Sequence, residues 1–130
     1  MRFALLVLLG LVIGVIGTVN VMNTLSERNP MPKAVMQAMG YHMGELSHAL
    51  KAKQCESPRM QQHLERMLST AGDIVPVFGI TEKDFTDDAG RLQTHLRQAA
   101  QAAPADCAAL ALLLKPINDT CDSCHQQYRR

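Results

Sequence analysis

"DCAALALLLKPINDTCDSCHQQYRR", residues 106–130, decides the fold. Apolar and sulfur-bearing side chains recur at Leu110, Leu113, Leu114, Ile117, Cys121, Cys124 and Tyr128. Steps of three and four residues place them on one face of an α-helix. Pro116 falls inside that helix and predicts a local kink, because proline lacks the N–H and crowds the turn before it.

Working toward the N-terminus, the same periodicity returns three times. Over residues 32–53 it runs through Val35, Met36, Met39, Met43, Leu46 and Leu50, with Pro32 suited to a first turn. From Ser57 it runs through Met60, Leu64, Met67 and Leu68, with Ser57 as the expected cap and Pro58 at the first helical position. "GDIVPVFGI", residues 72–80, carries Pro76 and Gly79 and reads as a break. A further helix spans residues 83–102, with Phe85, Leu92, Leu96 and Ala99 inward and Pro104 ending it. No stretch alternates with the period of a strand. Four amphipathic helices with short connections predict an all-α fold, an antiparallel up-down-up-down four-helix bundle over residues 25–130. Each apolar stripe finds cover only against the other three.

An N-terminal hydrophobic helix precedes the bundle. From Phe3 to Met22 there is no charged residue, and about twenty residues span a ~30 Å hydrocarbon core. Residues 1–24 are therefore an expected membrane anchor or signal segment. No good A-x-A-like cleavage site follows, "VIG" ending at Gly17 being marginal, so an uncleaved anchor is favoured. Arg2 fits retention of that end in the cytoplasm. The GxxxG pair Gly10 and Gly14 carries little weight in so glycine-rich a segment. The expected location is the periplasmic side of the bacterial inner membrane, or the free periplasm if the segment is removed.

Lys and Arg number 13 against 12 Asp and Glu, a balance without the basic excess that nucleic-acid binding requires. Eight methionines suit irregular core gaps. No acid/base pair or nucleophile arrangement is evident, so an enzyme is not expected.

Export makes the four cysteines, Cys55, Cys107, Cys121 and Cys124, informative. In an oxidising compartment cysteines are bonded, metallated or otherwise used. Cys121, Cys124 and His125 form C-x-x-C-H, the attachment signature of a c-type haem. On a helix these positions share one face, so two thioethers and an iron-binding imidazole can converge. A thioredoxin-like C-x-x-C would follow a strand, whereas a helical pattern precedes this one. Structural zinc needs four ligands, and Cys55 and Cys107 are isolated rather than paired. Cys55 follows one helix and Cys107 begins another at the same end of the expected bundle. A Cys55–Cys107 disulfide is expected if their Cα atoms come within ~7 Å, two free thiols being the alternative. Such a bond would help keep Met36 in register with His125.

The helices and the C-terminal "TCDSCHQQYRR" resemble the class II c-type cytochromes, the cytochrome c prime group, over about residues 31–130. Pro116, five residues before Cys121, fits the low-spin branch. "MQAMGYHM" is similar to the first-helix segment of that branch, whose leading methionine binds the iron. The resemblance implies one covalent haem c, with His125 as proximal ligand and Met36 as distal ligand, moving electrons between redox partner proteins. High-spin relatives leave iron five-coordinate and take up nitric oxide or carbon monoxide, the alternative reading. They commonly carry an arginine where this chain has Pro32. Family members often pair through their first two helices, which adds a homodimer to the expectations.

Among the coordinating side chains, Met36 lies near the level of His125, with Gly40 a turn beyond leaving room for a porphyrin edge. Met43 is expected ~10 Å further along the axis. His42 faces away from Met36, and His48, His63 and His95 read as solvated or interfacial. Val75, Val77, Phe78 and Ile80 are candidates to cover a haem edge or to plug the bundle. Arg28, Lys33, Arg129 and Arg130 gather near the same end, as a solvated face or as contacts for propionates or an acidic partner.

Overall fold

The computed structural model describes residues 2–26 and 29–129. These are all-helical: α1 (Arg2–Ser26), α2 (Met31–Ala52), α3 (Ser57–Ala71), α4 (Ile74–Phe78), α5 (Lys83–Ala102) and α6 (Cys107–Tyr128). The chain divides into two compact units, Met1–Pro30 and Met31–Arg130. Arg28 and Arg130 lie outside the described residues, as does the side chain of Arg2.

In the first unit, the helix over Leu6–Thr24 is long and apolar enough to cross a membrane or to act as a signal sequence. Three of its polar side chains bond within the helix. Thr18, Asn20 and Thr24 donate to the carbonyls of Gly14, Ile16 and Asn20 at 2.8, 2.9 and 2.8 Å. Such internal pairing is what a hydrocarbon environment demands.

In the second unit, α2 packs on α3, α3 on α5, α5 on α6 and α6 on α2, while the short α4 packs on α2 and α5. The sequence stripes meet in one core. Leu46, Leu64, Leu96, Leu110 and Ile117 are wholly buried. Each such side chain contributes about 1.5–3 kcal/mol relative to exposure. Phe85 bridges the α4–α6 side, its ring 5.8 Å from Phe78 and 5.1 Å from Tyr128.

Two local expectations are corrected. Ser57 is the first residue of α3 and not its cap; Glu56 takes the cap position without a side-chain hydrogen bond, and Pro58 sits in the first turn. The expected break at residues 72–80 contains α4. Pro76 is the third residue of that helix, where a backbone N–H has no partner within the helix to lose. Gly79 then ends α4 at φ 64, a left-handed conformation that glycine adopts freely, with its N–H on the Val75 carbonyl at 3.0 Å.

α6 is capped by Asp106, whose carboxylate accepts the Ala109 N–H at 2.8 Å. It continues through Pro116 to Tyr128. Cys55 and Cys107 are joined by a disulfide, with Cα atoms 5.2 Å apart. The bond ties the segment just after α2 to the first residue of α6.

Candidate functional site

The far ends of α2 and α6 from that disulfide enclose a cavity of about 230 Å³, open to solvent on one side. Cys121, Cys124 and His125 of α6 line it, and so does Met36 of α2. These four are the haem-binding set expected from the sequence, and the fold brings all of them to one cavity.

Local structure explains how each arrives there. Pro116 gives no backbone N–H, and the next turn is steadied by the Thr120 hydroxyl, which donates to the Pro116 carbonyl at 2.8 Å. Thr120 is buried, so Cys121 and Cys124 follow it on the inner side of α6, both half-buried. His125, one residue further round, is exposed at the mouth. On α2 the wall is Met36, Met39, Gly40 and Met43, an i, i+3, i+4, i+7 face. Nothing lies within 4 Å of where a Cβ on Gly40 would stand, so that position opens into free space. Met67 of α3, Ile74 of α4 and Leu92 of α5 complete the apolar lining.

Met43 lines the same cavity as Met36, because the cavity runs along two turns of α2. Ile74 is the α4 residue on the wall, whereas Val75, Val77, Phe78 and Ile80 pack against the core. His42 is not on the cavity wall, in keeping with its angle on the helix. His48 is exposed, but His63 is buried at 9% exposure, in the α2–α3 seam. Lys33 and Arg129 are exposed.

Asp88 on α5 was not anticipated. It is 5% exposed, lines the cavity and is ion-paired with Arg91 one turn along the helix. The signal was present: Asp88 stands on the inward stripe with Phe85, Ala89 and Leu92, three and four residues from its neighbours. An acid on an apolar stripe needs a partner, and Arg91 supplies one.

The two sulfurs are free thiols. Burial pushes the Cys121 thiol up to about 11, with Asp122 and then Cys124 adding to the effect. Burial also raises Cys124, followed by the charge of Asp88. Both shifts favour the protonated thiols, which makes them weak nucleophiles for dithiol exchange. Among the described residues no group of three or more His, Cys, Asp or Glu gathers to hold a metal ion. A c-type haem asks for something different: two thiols, one imidazole and an apolar slot walled by soft side chains. That donor set fits the residues present.

No protein-family model, curated protein or solved structure matches the chain.

Proposed function

We propose that this protein is a single-haem electron carrier of the class II c-type cytochrome kind, low-spin branch. In this reading α2, α3, α5 and α6 form an antiparallel up-down-up-down four-helix bundle. The closed circuit of helix pairings and the short connections support that arrangement. Cys121 and Cys124 hold the haem through thioethers, His125 is the proximal iron ligand and Met36 the distal one. The observation that carries the proposal is one apolar cavity lined by both free thiols, His125 and Met36.

When bound, the haem supplies reversible one-electron chemistry, and a methionine–histidine ligand pair raises its potential. The chain's own part is to hold and to insulate. Met39, Met43 and Met67 exclude water from the slot, and their flexible thioethers adapt to a flat neighbour. The Asp88–Arg91 pair brings a fixed carboxylate to the wall without leaving its charge unpartnered. Exposed Lys33 and Arg129 offer contacts to a redox partner protein. The protein acts from the periplasmic side of the bacterial inner membrane, held by α1, as a carrier and not an enzyme; pairing through α2 and α3 would make it a homodimer.

The deciding experiment is the optical spectrum of the purified full chain, with a pyridine haemochrome assay and intact mass. One covalent haem per chain, sharp low-spin bands and indifference of the reduced form to carbon monoxide are expected. Met36→Ala then opens the iron to carbon monoxide. Wild-type binding of carbon monoxide would replace this reading with the five-coordinate, gas-binding one. Absence of haem would end both.

A further inference from the structure

We propose that His42 and His63 form a separate metal site, taking one divalent transition ion between α2 and α3. The site is independent of the haem reading, since neither histidine lines the cavity. Its basis is geometric. The two Nδ1 atoms, from different helices, stand 2.9 Å apart. The rings have centroids 5.1 Å apart and planes inclined at 59°. Tyr41 packs edge-on against both, at 5.0 Å from His42 and 6.2 Å from His63, and restrains their orientation.

Two neutral imidazoles in this arrangement share one hydrogen, with one Nδ1 donating and the other accepting. An ion bonded to both at about 2.0–2.1 Å with a tetrahedral angle needs the nitrogens roughly 3.3 Å apart. The rings therefore open by only a few tenths of an ångström. The bridging hydrogen moves, through exchange with solvent, to Nε2 of its own ring. Both rings stay neutral, both Nδ1 lone pairs point at the ion, and no electron is transferred. His63 is buried while His42 is half-buried, so the ion has protein behind it and solvent in front. Water supplies the remaining ligands.

The surroundings select the kind of ion. Glu45 lies three residues along α2 from His42, but Arg59 engages its carboxylate at 3.3 Å. Arg66, three residues along α3 from His63, adds positive charge. Net local charge thus gives no attraction for a hard cation. Affinity must come from nitrogen bonding, which favours zinc, copper or nickel over magnesium and calcium.

Zinc titrated calorimetrically into the full chain in detergent tests this. Two forms are used, wild type and Cys121→Ser/Cys124→Ser, so that sulfur cannot account for the binding. Both are expected to take one zinc per chain, undisturbed by equal magnesium or calcium. His42→Gln should weaken binding about tenfold or more, since one of two protein ligands is gone. His63→Gln should do the same. If its burial makes that variant unfold, half-buried His42 decides the matter, together with loss of a two-nitrogen copper(II) resonance signature in His42→Gln. Zinc bound equally by wild type and His42→Gln overturns the site. So does zinc binding that vanishes with the Cys121→Ser/Cys124→Ser pair.

Discussion

Replacing both halves of the Cys55–Cys107 bond by serine removes a cross-link across 52 residues. In the chain-entropy account, the stabilisation grows with the logarithm of the loop closed. For a loop of this length it comes to about 4 kcal/mol at room temperature. A domain of this size has a total stability of only about 5–15 kcal/mol, so the loss is large. The bond joins the segment just after α2 to the start of α6, and those helices share a seam of their own. The folded packing therefore survives, and the effect falls mainly on the unfolded chain. With a urea slope of about 2 kcal/mol per molar, the unfolding midpoint drops by roughly 2 M. The assay is urea unfolding of the full chain in mild detergent, followed by far-UV ellipticity. Any thiol of Cys121 or Cys124 not held in a thioether is alkylated beforehand to prevent exchange. Equal midpoints for Cys55→Ser/Cys107→Ser and the oxidised wild type would refute the reasoning. They would mean that the cross-link constrains nothing the unfolded chain would otherwise explore.

Three other outcomes follow from burial and charge. Leu64→Ala, at a wholly buried position, should cost about 2–5 kcal/mol. Leu112→Ala, at 77% exposure on the outer face of α6, should stay within about 0.5 kcal/mol in the same urea assay. His42 has its pKa lowered from 6.5 in the folded state, by burial first, then by His63 and Arg66, with Glu45 opposing. The unfolded chain therefore takes up that proton first, and His42 destabilises the fold as pH falls from 6.5 through the folded value. Unfolding free energy should fall between about pH 7.5 and pH 5.5, and fall less in His42→Gln. Parallel pH profiles for the two proteins would contradict this.

Much of the fold was legible because each helix carries its own period. Val35, Met39, Leu46, Leu64, Leu96, Leu110 and Ile117 are core residues that spacing alone placed inward. α4 was not legible, because Pro76 and Gly79 are breakers in any local reading. Only the position of Pro76 within the first turn reconciles it with a helix. Cys121, Cys124 and His125 were legible because three reactive residues fell on one face. Their company was harder to read. Asp88 and Met67 stand on inward stripes, but that they line this cavity depends on α5 packing on α6 and α3 on α2, a tertiary fact that no single stripe contains. The His42–His63 pair was invisible for the same reason: each histidine is ordinary on its own helix, and only the α2–α3 seam brings their nitrogens together.

α2 and α6 are also treated differently at their two ends, and the magnitudes suggest why. From Met36 to Ala52 is about 24 Å of helix, so the disulfide cannot position the cavity side chains directly. Register over that distance is held by the wholly buried residues between, Leu46 on α2 and Leu110 and Ile117 on α6, which belong to one core. At the cavity end the packing is deliberately incomplete. A void of about 230 Å³ costs at most on the order of 5 kcal/mol at about 24 cal/mol per Å³, less where its mouth meets water. The cross-link at the other end contributes about 4 kcal/mol, so the two nearly offset. Gly40 fits the same logic: a Cβ added there would meet nothing within 4 Å. In the proposed reading, the room beside Met36 and His125 is where the haem would lie.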